Sequence, residues 1–319
     1  DNEYAGSIQK CVDAGIFNGY SDGTFKPENN VTNAELATVI SKLKKNRAEA
    51  YELYSKINEK YRDLKSFTMD TDMDIDMDMK FGDVETQNLK TVSTGTFKAV
   101  INDLEKFDIE LSGSLDTMSG EIGQKTNIYY KDNTYYIKND DLDIKAKVKM
   151  DFNEIMSNLG LNYNDISELS ENSIVFGYVK VKDDNTKDLY VNVDVDEVVS
   201  NFAFIHKDKG TSGEIGNISQ VIHIDENDNM TGYDLYGGMK IEDELGYIDY
   251  AISAKYKLRD LNSTVADVPD DLDTYGDMGD LLNMDKITES EGKRTNGEEE
   301  TKDDIGKIDI YQHPLETED

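Results

Sequence analysis

From Met69 to Phe81 the chain alternates between carboxylates and apolar side chains. Asp70, Asp72, Asp74, Asp76 and Asp78 fall on one parity, and Met69, Met73, Ile75, Met77, Met79 and Phe81 on the other. Carboxylates repeated in this way are the oxygen ligands that a hard cation such as calcium takes. The apolar parity is rich in methionine, a flexible and polarizable side chain suited to surfaces that adapt to varied apolar partners. It is the candidate hydrophobic groove. A period of two is that of a strand with one wet and one buried face. Same-face aspartates on a strand stand about 6.8 Å apart, so each neighbouring pair repels by roughly 0.6 kcal/mol in water. Burying one large apolar side chain contributes about 1.5–3 kcal/mol, and six are available. Burial forms this strand without any ion, and the ladder reads as a solvated face partnered by lysines of a neighbouring strand. Residues 144–150, with Lys145, Lys147 and Lys149 on one parity, offer that strand.

No catalytic or metal-binding constellation accompanies the ladder. His206, His223 and His313 are isolated, outside any metal-ligand spacing or nucleophile motif. His223 lies in an alternating stretch beside a buried face and reads as structural. Asp225-Glu226-Asn227-Asp228-Asn229 begins like a calcium loop, but Met230 stands where glycine is needed and Tyr236 where the bidentate glutamate belongs. It reads as a polar hairpin turn. Gly210 to Gly216 is glycine-rich yet lacks the lysine of a phosphate loop, and reads as a flexible connection. Ile287 occupies the position where Gly292-Lys293 would need the first glycine of such a loop. Cys11, on an apolar helical face with no cation beside it in sequence, reads as a small hydrophobe. These residues point to binding, with no enzyme activity, no metal and no cofactor.

Composition narrows the partners. The chain of 319 residues carries 67 acidic and 34 basic side chains, a net charge of −33. Such charge repels phosphate backbones and excludes nucleic acid as a partner class. No apolar run reaches the length of a membrane-spanning helix, so no transmembrane segment is expected. A single cysteine excludes an intrachain disulfide framework and a zinc site built on several thiolates. Asp1 opens the chain with neither Met nor a basic and apolar leader, so a targeting segment has been removed or the start is not native. Nor is there a Cys at the first position, as a lipid-anchored lipoprotein would have.

Several elements must position the alternating strand. Ala5 to Ala14 reads as a short helix with Ile8, Cys11 and Val12 inward, stopped at Gly15. Thr32-Asn33-Ala34-Glu35 is a capping box opening a second helix, with Leu36, Val39, Ile40 and Leu43 as its buried stripe. From Lys44 that helix runs on, or restarts, through Ala48, Leu53, Ile57, Tyr61 and Leu64. After Met69–Phe81, further strands are expected at 107–111, on either side of Lys131–Thr134, at 176–182, 189–195, 219–224, 230–236, 238–241 and 247–256. Short helices are expected near 153–159 and over 196–204. An antiparallel sheet built this way must bury its apolar face, and the long helix is the obvious cover.

Between the first two helices runs Gly19-Tyr20-Ser21-Asp22-Gly23-Thr24-Phe25-Lys26-Pro27, where Asp22-Gly23 suits a tight turn. The whole string AGIFNGYSDGTFKPENNVTNAELATVISKL resembles an S-layer homology repeat, whose GI..GY.DGTF.P loop and TRAE helix start it shares within residues 4–43. The resemblance implies attachment to a secondary polymer of a Gram-positive-type cell wall, hence an extracellular location on the wall or cell surface. It assigns Tyr20, Asp22, Gly23, Thr32, Asn33 and Glu35 as candidate polymer-binding residues. Two departures are plain. Such repeats usually come in threes, and one is present here. Asn33 stands where the family has Arg; it can hydrogen-bond a carboxylate but cannot form a bidentate ion pair.

A second, looser resemblance covers roughly residues 46–268. A helix ending in LKSFTMDTDMDIDMDMKFG, followed by hairpins such as IYYKDNTYYIK and VIHIDENDNMTGYDLYGGMKI, looks like the LolA/LppX-type envelope lipoprotein fold. That fold is a curved, unclosed sheet wrapped on helices, whose concave face can hold acyl chains or other apolar ligands. The expected class is therefore α+β: a helical module at 1–45, an antiparallel half-barrel covered by helix at 46–268, and a tail at 269–319. Residues 267–319 carry 18 acidic against 5 basic side chains, too little apolar content to offset ordering. They read as a disordered tail in which only Ile305–Tyr311 could dock as a strand, and Val268-Pro269 marks the end of the body. The function expected is that of a non-enzymatic cell-surface protein whose half-barrel holds a hydrophobic or lipid ligand. The alternative is a structural or adhesion protein with no small-molecule ligand.

Overall fold

A computed structural model describes residues 5–20, 22, 24, 26, 29–81, 86–103, 106, 108–150, 170–193, 212–215, 218–243 and 246–278. The helices expected near 153–159 and over 196–204, His206, His313, Gly292-Lys293 and the docking stretch Ile305–Tyr311 lie outside the described residues.

Helix α1 (Ala5–Asp13) ends as expected before Gly15, which takes a positive φ of 66°. Helix α2 (Asn33–Tyr61) is one continuous helix of 29 residues. Its start carries both halves of the capping box: Glu35 N donates to Thr32 Oγ1 at 3.2 Å, and Thr32 N donates to Glu35 Oε2 at 2.8 Å. The boundary expected at 45/46 therefore falls inside a helix. Lys42 donates to the carbonyls of Gly15 and Ile16, and Asn46 to that of Ala14, tying the first module to the middle of α2.

Thirteen strands follow among the described residues. In chain order they are β1 (Ser66–Phe81), β2 (Gln87–Asp103), β3 (Asp108–Ser119), β4 (Ile122–Lys131), β5 (Thr134–Asn139), β6 (Ile144–Lys149), β7 (Ile174–Val181), β8 (Lys187–Val193), β9 (Ser212–Ile215), β10 (Ile218–Ile224), β11 (Met230–Asp243), β12 (Gly246–Arg259) and β13 (Gly276–Asp277). They form one open sheet in the order β13-β6-β5-β4-β3-β2-β1-β12-β11-β10-β8-β7, with β9 paired to β11. Among the described residues every pairing is antiparallel except the two-residue parallel pair of β13 with β6. This is the expected half-barrel: an unclosed antiparallel sheet with one main helix on its face.

Several details differ from expectation. The stretches at 230–236 and 238–241 form the single strand β11. The stretch read as a flexible connection contains β9, which pairs with β11 from Ile215↔Met239 to Ser212↔Glu242. The body also extends past residue 268. Residues 262–277 cross from β1 to β6: Thr264 N donates to Ser66 Oγ, Asp267 N donates to Ser112 Oγ, Lys145 pairs with Asp271 at 2.7 Å, and Tyr275 packs edge-on against Tyr136. The remainder of the expected tail, 279–319, lies outside the described residues.

The core sits at one end of the sheet. Ala50 and Ile57 of α2 meet Ile174, Leu189, Val191, Val193, Ile222 and Ile224 from β7, β8 and β10, with Tyr51, Leu53, Tyr54, Tyr61 and Tyr233 around them. Contact is close enough that a Cβ on Gly177 of β7 would stand 2.8 Å from the Ala50 methyl. At the other end of α2, Leu36 and Ile40 are 51% and 45% exposed, so the stripe expected to be buried is largely uncovered there.

Candidate functional site

Antiparallel partners share a face, so strand register fixes which side chains stand together. Thr71 of β1 lies opposite Tyr256 of β12, which lies opposite Tyr233 of β11 and then Ile222 of β10. The Met-bearing face of β1 is thus the same face on which α2 packs farther along the sheet. Met73 lies opposite Ala254, Ile75 opposite Ile252, Met77 opposite Tyr250 and Met79 opposite Ile248. Met69, Met73, Ile75, Met77 and Met79 are all half-buried, while Asp72, Asp74 and Asp78 on the other face are exposed. The side chain of Phe81 lies outside the described part of the molecule. The long helix is the expected cover of the sheet's apolar face. The helix instead covers β7, β8 and β10, three strands away from β1 in the sheet order. Its middle is tied through Lys42 and Asn46 to the segment that follows α1, and Asp13 of α1 pairs with Lys180 of β7 at 3.2 Å, which holds the helix at the edge of the sheet.

Hydroxyls punctuate the apolar face. Thr71 is 5% exposed, and its Oγ1 has no hydrogen-bond partner among the described residues. Among the described residues the Tyr256 hydroxyl reaches only the thioether of Met73, at 4.0 Å. Tyr233 and Tyr256 stack with ring centroids 4.5 Å apart. Burial pushes the Tyr233 hydroxyl up to about 12 and the Tyr256 hydroxyl above its ordinary value. Sequence reasoning did not single out this trio; only the register of three strands distant in sequence brings it together.

The opposite face carries the aspartate ladder. Its cationic partners are not those of residues 144–150, because β6 lies at the far edge and its Lys145 meets Asp271. Arg259 of β12 instead donates two bonds to Asp70, at 2.8 and 3.1 Å, and Thr96 adds a third at 2.8 Å. The Arg259 guanidinium, against a smaller opposing effect of burial, holds the Asp70 carboxyl below its ordinary range. Asn88 donates to Asp76 and Asp78, and Lys90 stands 3.5 Å from Asp76. Among the described residues no group of three carboxylate, histidine or cysteine side chains is arranged to hold a metal ion.

Beside Asp70 and Asp72 the same face has an open depression of about 410 Å³, walled by His223, Asp234, Lys255 and Lys257 over buried Gly232. His223 is held between two carboxylates: Nδ1 lies 2.9 Å from Asp188 Oδ1 and Nε2 lies 3.3 Å from Asp234 Oδ1. A doubly protonated ring can donate to both. Burial alone would raise the Asp188 carboxyl, but bonds from Lys182 and His223 outweigh it and hold the group low. Among the described residues no hydroxyl or thiol side chain bonds the imidazole ring. The loop that begins like a calcium site is a closed hairpin turn. Asp225 accepts from Asn227 N, Asn229 N and Asn229 Nδ2, and Lys60 of α2 donates to the carbonyls of Asn227 and Asp228.

In the first module, most of the candidate polymer-binding groups are engaged locally. Asp22 accepts from Thr24 N and Oγ1 and pairs with Lys26 at 2.7 Å, and the Lys26 bond foremost holds its carboxyl low. The Lys26 ammonium lies 4.6 Å from the Tyr20 ring centroid. Thr32 and Glu35 close the capping box on each other. Asn33, at the first turn of α2, is exposed and has no side-chain partner among the described residues. Gly23 lies outside the described residues.

Comparison with known proteins places an S-layer homology domain at residues 1–37. Residues 49–202 match a family of unknown function, DUF6612. Over 36 residues the chain is 53% identical to a cell surface glycoprotein 1 of Acetivibrio thermocellus; these are 11% of this chain and 2% of that protein. Among solved structures, LprF from Mycobacterium bovis aligns over 70% of this chain and 98% of its own, at 12% identity and a TM-score of 0.35. A LolA superfamily protein from Nitrosomonas europaea aligns over 73% of this chain and 99% of its own, at 11% identity and a TM-score of 0.17.

Proposed function

We propose, for a chain that carries an S-layer homology domain at residues 1–37, that it is a protein of a Gram-positive-type cell surface whose sheet domain binds a hydrophobic or lipid ligand without transforming it. The first module attaches to a secondary wall polymer through the surface around Tyr20 and Asn33. One observation carries the ligand reading: Met69, Met73, Ile75, Met77 and Met79 form a half-buried apolar stripe that α2 does not cover. Large apolar stripes left short of full burial mark binding surfaces on soluble proteins. Titration of the full chain with a hydrophobic fluorophore tests it. Saturable binding that Met77→Asp abolishes is expected, and Met77→Gln separates loss of binding from loss of fold because it keeps the side chain's length. Absence of binding by the folded protein would sink the reading.

A second reading, a structural or adhesion role, is favoured by the unbroken run of α2 from the first module into the core. It makes the two parts one rigid unit, as a spacer requires. Sedimentation with purified cell walls, native or stripped of secondary polymer, tests attachment in either case; equal retention on both would count against the polymer.

A further inference from the structure

We propose that the hydroxyl row Thr71–Tyr256–Tyr233 is the polar anchor for a single-chain amphiphile. It donates to a neutral acceptor such as an ester or amide carbonyl while the hydrocarbon chain lies along Met73, Ile75, Met77 and Met79. This rests on the hydrophobic-ligand reading above and adds the chemical class of the ligand.

Three observations meet in this row. First, the residues that bear these hydroxyls are direct cross-strand neighbours on β1, β12 and β11, and none of the hydroxyls has a protein oxygen or nitrogen as partner among the described residues. Other polar side chains on the same face are matched: Ser93 with Thr117 at 3.0 Å, and Asn139 with Thr126 at 3.1 Å. A buried hydroxyl left unmatched is costly, so the Thr71 position is poor for stability alone. Secondly, the row stands where the cover given by α2 ends. Tyr233 and Met230 pack against the core under α2, and from Thr71 the stripe runs eight residues to Met79, about 27 Å of strand. Thirdly, the Met-bearing parity of β1, the parity of β12 that shares its face and the matching parity of β2 contain no Lys, Arg or His. A carboxylate or phosphate would find no cation there, whereas a carbonyl needs only donors. Both tyrosines, raised by burial, remain neutral donors at ordinary pH.

The test is displacement of a fluorescent acyl probe from the full chain by methyl palmitate and by hexadecane. Wild type is compared with Thr71→Val, Tyr256→Phe and Thr71→Ser. Methyl palmitate is expected to displace the probe more tightly than hexadecane. Thr71→Val and Tyr256→Phe should each weaken the ester by about three- to tenfold and leave the alkane unchanged, with Thr71→Ser restoring the ester. Thr71→Val deletes an unmatched hydroxyl at constant shape, so its melting temperature should hold or rise, which excludes unfolding as the cause. If ester and alkane compete equally, or the variants weaken both alike, the anchor is overturned while the apolar face stands. If the probe does not bind at all, the hydrophobic-ligand reading falls and the anchor with it.

Discussion

One face of the sheet is used in two ways. Under α2, on β7, β8 and β10, side chains such as Leu189, Ile174 and Ile224 are fully buried. On β1, Met73 and its neighbours are only half-buried. The strands are built alike, with the same period and the same antiparallel pairing, so the difference comes from where the helix is tied. Tied at its middle to the carbonyl after α1 and at its end to the β10–β11 turn through Lys60 and Tyr61, α2 lies over β7, β8 and β10 rather than over the centre of the sheet. Burial is deepest at one end, and α2 does not cover the centre.

The largest effect that tests this contrast is truncation at equivalent positions. Leu189→Ala should lower unfolding free energy by about 2–5 kcal/mol, while Met73→Ala, losing fewer contacts, should cost well under half as much. Denaturant midpoints at constant slope would show it, and equal losses would break the distinction. A smaller effect is expected from Asp188, which sits at the edge of the stable end at 7% exposure. Its folded carboxyl lies below its unfolded value, so its contribution is present above the unfolded pKa and fades as pH falls through the folded one. Asp188→Asn should therefore be less stable than wild type at neutral pH and converge with it in acid; a gap independent of pH would contradict the assignment. The smallest effect is at the uncovered start of α2. Thr32→Ala removes a cap worth about 1 kcal/mol, and amide exchange should quicken at residues 34–37 while the global midpoint hardly moves.

Legibility followed the locality of the signal. β1 and the capping box are visible because a few neighbouring residues carry them: a strict two-residue alternation, and a Thr and Glu three apart. β2 has the same length class but gives no comparable pattern. Its inward positions include Thr91, Ser93 and Gly95, whose polarity erases the alternation although Ser93 is buried against Thr117. The partner of the aspartate ladder was misassigned for a related reason. Lysines on alternate positions occur in both β6 and β12, and nothing local says which strand lies beside β1, since β12 is more than 160 residues away in sequence. The end of the body was placed too early because Pro269 and the surrounding acids read as a break. Asp271 and Tyr275 are instead held by Lys145 and Tyr136, contacts that exist only once β5 and β6 are in place. The hydroxyl row is invisible for the same reason: its three members are separated in sequence and united by register.

The order of the strands also sets a distance. The first module is fastened beside β7 through Asp13 and Lys180, and the last described strand, β13, is paired at the opposite extreme of the sheet. Eleven interstrand steps separate these edges, an arc of about 53 Å at the usual strand spacing. Met278 therefore ends the described chain at the edge of the sheet opposite the one beside which the first module is fastened.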